Sequence, residues 1–256
     1  MWPLKKKENK KDSFADYPAI GGVIATKLIA EHQKPVMFMY CEKPVNEQDS
    51  GWRLFSGLED QDYINDSNNS GIYHASTILK IDDSIADLLL QPIGAVFERQ
   101  SPAQDWQPVY DFEFGDDGIV SMPVTGGWSI ALSKLFSTNS NEEMGWTAVM
   151  YGRTVRAQLY EFPGMGKDEL IGIHQKQINT LMGKYGDKLK PLPRLEGANT
   201  LGYHAIEQNE HKAYHVIYTF IVREEQVMQA SFYYDREPDE DWAMQALKSI
   251  TYHAGA

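Results

Sequence analysis

Cysteine is all but missing from this chain of 256 residues: Cys41 stands alone. No internal disulfide can form, which excludes a disulfide-stapled scaffold. Cys41 ends the apolar run Pro35-Val-Met-Phe-Met-Tyr-Cys41, a setting that suggests a buried thiol and not a nucleophile. Long apolar runs are missing too. No stretch approaches the ~20 apolar residues of a membrane-spanning helix. The opening Met-Trp-Pro-Leu-Lys-Lys-Lys-Glu-Asn-Lys-Lys-Asp has the charge of a signal peptide but no apolar segment behind it. Residues 1–19 therefore read as a solvated, flexible tail. The cytoplasm is the expected compartment, and no membrane partner is expected.

Basic residues are scarce. Lys and Arg number 24 against 36 Asp and Glu, a net charge of -12 at pH 7. Nucleic-acid binding needs a basic footprint on the phosphates, so no nucleic-acid partner is expected. A basic protein would be attracted instead, and faster for the field. Acidity that merely keeps the chain soluble is the plain alternative.

Recognisable catalytic sets are also missing. Ser50, in Asp-Ser-Gly-Trp, lacks the Gly-x-Ser-x-Gly elbow. Cys41 has no histidine near it in sequence. Gly164-Met165-Gly166 is too short for a phosphate loop. Asp82 and Asp83 suit a helix N-terminus better than glycosidic acid–base work. His211 and His215 lie in or beside a strand, where four residues span roughly 13 Å, too far for one ion. His204 could neighbour one of them across a hairpin. Asp49, Glu59, Asp60 and Asp62 lack the spacing of a calcium loop. No catalytic residue, metal ligand or cofactor is assigned, and no enzyme is expected.

What is present is apolar content of 42%, with 14 Tyr, 10 Phe and 6 Trp, the composition of a globular, β-rich chain. The length admits one large domain or two ordinary ones. Gly21-Gly22 open a short strand, Lys27–Gln33 makes a turn or two of helix, and Val36–Cys41 reads as a central strand, apolar on both faces. Asp49-Ser-Gly51 reads as a turn before a second short strand. Ile72–Ile81 should contain a short helix, and Ile85–Leu90 an apolar helix led by Asp82 and Asp83. Ala95–Glu98 and Val109–Phe114 read as strands.

The glycines, aspartates and proline between about residue 112 and residue 125 suggest a domain boundary. Beyond it Trp128–Leu132, Trp146–Gly152 and Arg153–Phe162 read as strands, with Ser-Thr-Asn-Ser-Asn as a loop. Lys167–Tyr185 is a helix by its apolar spacing, and Gly186 stops it. Pro191 and Pro193 make an extended link. Thr200–Glu207, Ala213–Val222 and Val227–Tyr234 form a meander, and Pro238 and Asp239 start a last helix. The expected fold class is α+β in two domains, 20–114 and 123–254, the second an antiparallel sheet packed with helices.

The stretch DSGWRLFSGLEDQDY, preceded by KPVMFMYCEKP and followed by IDDSIADLLLQPIGAVFER, resembles the bacterial immunity-protein domain found beside polymorphic toxins, over roughly residues 20–110. The resemblance implies a protein that neutralises a cognate toxin by binding it. The residues proposed to face that toxin are Glu42, Glu47, Asp49, Trp52, Arg53, Glu59, Asp60, Asp62 and Tyr63, with a core role weighed beside it for Trp52. In the C-terminal half GWSIALSKLF, RTVRAQLYEF, KDELIGIHQKQI and YHVIYTFIVREEQVMQASFYYDREPDED resemble the superfamily of the photosystem II extrinsic protein PsbP, whose members mostly bind other proteins. Two other functions stay open: an interaction or scaffold module acting through the C-terminal half, and a small-molecule hydrolase using the acidic cluster. The oligomeric state is not readable.

Overall fold

The computed structural model describes residues 14, 17–142, 145–193, 199–208 and 212–253. The expected tail of residues 1–19 falls largely outside them, as does His211. The chain divides into two units between Gly115 and Asp116, and the α+β, two-domain expectation holds.

The N-terminal unit runs β1 (Gly22–Thr26), α1 (Lys27–Ala30), β2 (Phe38–Cys41), β3 (Asp49–Phe55), α2 (Gln61–Asn65), β4 (Ser70–His74), α3 (Ala75–Leu79), β5 (Val96–Glu98) and β6 (Gln107–Pro108). They form one six-stranded sheet in the order β4-β1-β3-β2-β5-β6, with β1 and β3 parallel. Trp52, Leu54, Met39, Val23 and Ala25 are buried along its inner face, and Ile29, Ile78, Leu79, Ile85 and Leu89 from the short helices and turns are buried with them.

The short helix expected within Ile72–Ile81 is present as α3. Before it Ser70–His74 is a strand: every residue of β1 pairs with it, and Ile72 and Tyr73 suit a pleated edge. Three local expectations change here. Asp49, Ser50 and Gly51 begin β3 instead of turning before it, because Asp49 and Gly22 pair across the sheet. The apolar run after Asp82 breaks into two one-turn 3-10 segments, Asp83–Ile85 and Leu88–Leu90. A helix this short gains too few hydrogen bonds to propagate. Val109–Phe114 is not a strand. Val109 donates one hydrogen bond to Val96 O, and Phe112 and Phe114 then pack on Tyr40 instead of pairing.

The C-terminal unit holds β7 (Ile119–Pro123), β8 (Trp128–Ser133), β9 (Ser137–Asn141), β10 (Gly145–Met150), β11 (Arg153–Glu161), α4 (Lys167–Tyr185), β12 (Leu189–Pro191), β13 (Thr200–Gln208), β14 (Ala213–Arg223), β15 (Gln226–Tyr234), α5 (Glu240–Lys248) and β16 (Thr251–Tyr252). A seven-stranded antiparallel sheet, β12-β13-β14-β15-β11-β10-β9, stands beside a three-stranded one, β16-β8-β7. Alternation along each strand sends one set of residues to each face. Ile217, Met228, Ala230 and Phe232 pack with Trp128, Ile130 and Leu132 of β8 and Ala243, Ala246 and Leu247 of α5. Phe220, Val222 and Val227, on the opposite face, take Leu170 and Ile178 of α4. Asp168 and Glu169 sit in the first turn of α4, where carboxylates favour the positive end of the helix dipole.

Ser137–Asn141 is a strand and not the loop its composition suggests. It pairs with β10 from end to end, and all its side chains are exposed. A polar edge strand looks like a loop because its outer side meets water. The extended link at Pro191 likewise proves to be the short edge strand β12, paired with β13.

His204 does neighbour His215 across the β13–β14 hairpin. Their rings stack with centroids 5.4 Å apart, and His204 Nε2 lies 3.3 Å from both His215 Nδ1 and the Tyr234 hydroxyl. Burial holds the His204 pKa below its ordinary value, with Glu240 opposing and His215 and Lys190 adding to the shift. The neutral ring is thus the form that the fold favours. Its contribution is present above the ordinary histidine pKa and is lost as pH falls through the lower folded value. The urea midpoint is therefore expected to fall more steeply between pH 7 and pH 5 for the wild type than for His204→Gln. Equal slopes would remove His204 as the cause.

Candidate protein-binding site

The motif Asp49-Ser-Gly-Trp-Arg53 is explained residue by residue by how β3 is held. Asp49 Oδ1 accepts from Gly51 N at 2.9 Å, and its Oδ2 from Val45 N at 3.1 Å. The same carboxylate takes both terminal nitrogens of Arg53, at 2.8 and 2.7 Å. This two-pronged match needs a planar guanidinium. Arg53 Nε donates to Glu42 Oε1 at 2.6 Å. The hydrogen bonds from Arg53 hold the Asp49 carboxyl down at a pKa of about 2. Ser50 Oγ donates to Gly22 O at 2.7 Å and accepts from Trp52 N at 3.2 Å. Gly51 sits at φ +86, and a Cβ there would lie 2.2 Å from Glu42 O, so both conformation and space require glycine. Trp52 is 1% exposed, and its Nε1 donates to Leu89 O at 2.9 Å.

These contacts sort the proposed toxin-facing residues. Asp49, Trp52 and Arg53 are used up inside the fold. Glu42 is half-buried on Arg53, its side chain 35% exposed. Glu59 turns inward: its Oε1 accepts from Thr26 Oγ1 at 2.5 Å and from Ser56 N and Oγ at 2.8 and 2.9 Å. Burial pushes its pKa up, but these hydrogen bonds outweigh burial and leave it lowered. Asp60 caps α2 by accepting from Tyr63 N at 2.8 Å, and Tyr63 is half-buried. Glu47, Asp60 and Asp62 are exposed. Nor is there one acidic cluster. Glu47 precedes β3 and Asp60 and Asp62 follow it, so the two groups are separated by the strand's length of about 20 Å.

Between these ends lies what the sequence reading missed. Ile72, Ile24, Arg53, Tyr40 and Val96 are successive partners across β4, β1, β3, β2 and β5, and directly paired residues share a face. Phe55, Phe38 and Glu98 form the next row on that same outer face. Phe112 lies 5.7 Å from Phe38 and 4.9 Å from Tyr40, ring to ring. The signal was present: Phe38 and Tyr40 alternate with Met39 and Cys41, and Arg53 and Phe55 with Trp52 and Leu54. It announced two apolar faces without saying which was covered.

The nucleophile and metal candidates take structural places. Burial pushes the Cys41 thiol up to about 12, far from a reactive thiolate. Asp82 ion-pairs with Arg99 and accepts from Val36 N at 3.0 Å and Ser84 Oγ at 2.6 Å. Among the described residues no group of His, Cys, Asp and Glu is arranged to hold a metal ion. No helix among them is long and apolar enough to cross a membrane.

Comparison with known proteins adds the following. No curated protein matches this chain. Among solved structures, a protein from Bacteroides thetaiotaomicron is similar at 12% identity and a TM-score of 0.39, over 50% of this chain and 46% of its own. A DUF4468 family protein from Bacteroides ovatus is similar at 12% identity and a TM-score of 0.25, over 31% of this chain and 53% of its own. This chain thus spans about half the length of each. Cyanobacterial PsbP (CyanoP) from Synechocystis sp. PCC 6803 is similar at 9% identity and a TM-score of 0.35, over 56% of this chain and 99% of its own, and it is a neighbour of the C-terminal part. Residues 23–110 match the family model of the Immunity protein Imm33 domain, so the resemblance carried by the Asp-Ser-Gly-Trp stretch holds for the N-terminal half.

Proposed function

We propose that this chain is an immunity protein that binds a cognate bacterial toxin and occludes its active site, with no catalysis of its own and with the cytoplasm as its compartment. The observation that carries this is the match of residues 23–110 to the Immunity protein Imm33 domain. The charge of the N-terminal unit supports a basic target. Residues 17–115 carry fifteen Asp and Glu against six Lys and Arg, and two of the six, Arg53 and Arg99, are spent in buried ion pairs. A field of that sign speeds the arrival of a basic partner. The non-catalytic part is supported by the way the carboxylates are held: Asp49 and Glu42 on Arg53 and Glu59 on Thr26 and Ser56, with Asp60 and Asp62 a strand's length from Glu47.

Affinity purification from the native bacterium at low and then high salt, with mass spectrometry of what co-elutes, tests this directly. A stoichiometric secreted toxin, weakened by salt, is the expected result. Housekeeping proteins alone, or nothing, would overturn it. Steering has its own test. Glu47→Lys with Asp60→Lys and Asp62→Lys is expected to slow association on the order of tenfold at low salt and flatten its salt dependence, with little change in dissociation. An unchanged on-rate would sink the steering idea.

One observation favours a second reading, a protein-interaction module in the C-terminal unit. Tyr203, Tyr214, Tyr218 and Tyr233 are half-buried on the sheet face that α4 occupies in part. Glu207 accepts from the Tyr218 hydroxyl at 2.6 Å and from that of Tyr214 at 3.2 Å. Half-exposed tyrosines held rigid are good contact residues. Loss of the co-purified partner on Tyr214→Ala with Tyr233→Ala, and not on changes in the N-terminal unit, would move the binding there.

A further inference from the structure

We propose that a basic toxin docks on the outer face of the N-terminal sheet, with Ile24, Phe55 and Ile72 at the centre of the contact. This rests on the immunity reading above and adds the surface to it. The inner face of the sheet carries the core; on the outer face Arg53 and Val96 are buried as well, which leaves the exposed Ile72 with the half-buried Ile24 and Phe55 for a partner. Its β2–β5 side is partly covered by Phe112 and Phe114, which lie on Tyr40. On its β1–β4 side Ile72 is 70% exposed, beside the half-buried Ile24. Arg53 lies in the same row, but Asp49 and Glu42 cancel its charge, so it does not repel a basic visitor. Glu42 and Glu47 stand at one end of β3, and Asp60 and Asp62 follow its other end. An apolar centre with a charged rim is how protein interfaces are built.

Charge selects the occupant. A second copy of this chain would bring the same fifteen carboxylates against six basic residues over residues 17–115, and like charge opposes that pairing. A basic protein gains where a second copy loses.

The test uses the full-length chain made in the native bacterium, with the photo-crosslinker p-benzoylphenylalanine in place of Ile72. A parallel sample carries it in place of Ile173, which is 45% exposed on α4. After irradiation, adducts are identified by mass spectrometry, and the polypeptide found is purified and titrated with wild type and with Ile72→Asp. Ile72 is exposed, so Ile72→Asp should fold, which circular dichroism checks. The expected result is an adduct from position 72 and not from position 173, with a basic secreted polypeptide whose Kd rises at least tenfold for Ile72→Asp. An adduct from position 72 with this chain itself would make the face a self-association surface and overturn the proposal. A toxin captured by affinity but crosslinked only from position 173, or bound equally well by Ile72→Asp, would overturn this surface and leave the immunity reading standing. No captured polypeptide by either route would overturn both.

Discussion

Asp49→Ala is expected to lower the unfolding free energy of the N-terminal unit by about 3–5 kcal/mol, the usual cost of removing one partner from a buried ion pair. The Asp49 side chain is 4% exposed and that of Arg53 7% exposed, so water cannot replace the missing carboxylate. The change strips Arg53 of two hydrogen bonds and strips Val45 N and Gly51 N of one each. Glu42 is then the one carboxylate facing the guanidinium, with the Trp52 carbonyl accepting from its Nη1. Urea denaturation followed by far-ultraviolet circular dichroism, with amide exchange read across residues 22–55, measures the loss where it occurs. A loss below about 1 kcal/mol would mean that the network only decorates the strand.

The same network has an acid signature. The folded Asp49 carboxyl is held at about 2, below its ordinary range, so the folded state prefers it ionised. Its contribution is complete above the ordinary carboxylate pKa and fades as pH falls toward 2. The Asp49→Ala variant should lose correspondingly less stability over that acid window than the wild type.

Trp52→Ala is expected to cost about 3–5 kcal/mol, the range for emptying a large buried aromatic site. Trp52 stacks on Phe97 at 6.5 Å and bonds the Leu89 carbonyl, tying β3 to the apolar turns that cover the sheet. Trp52→Phe separates the two contributions. It retains much of the packing and orphans Leu89 O, for about 1–3 kcal/mol. The same denaturation series reads both variants. If Trp52→Ala instead abolished toxin binding with stability intact, Trp52 would be a contact residue after all.

How far the sequence was legible depends on how far apart the cooperating residues lie. α4 was readable to its ends because its cause is local: apolar residues three and four apart, carboxylates in the first turn and Gly186 after the last. The β13–β14–β15 meander was readable for a similar reason, since each strand pairs with its neighbour in the chain. Ser137–Asn141 was not, because five small polar residues carry no strand signal, and only β10 alongside makes them one. Val109–Phe114 erred in the opposite sense. Its alternation is real, but it packs on aromatic rings and leaves its backbone largely outside the sheet.

The candidate site shows the same division. The Asp-Ser-Gly-Trp stretch marked the domain type, because a bulged glycine, a capping aspartate and its arginine sit within five residues. What those residues face was decided by tertiary structure. Pairing of β1, β2, β3 and β4 turned Trp52 inward, folded Asp49 onto Arg53 and carried Asp60 and Asp62 a strand's length from Glu47. It also aligned Ile24 and Ile72, 48 positions apart in the chain, into one row. By itself the sequence determined charge, domain type and the local elements, since these depend on composition and near neighbours. The tertiary structure alone decided which face is buried and which is offered, because strand register is settled by residues far apart in the chain.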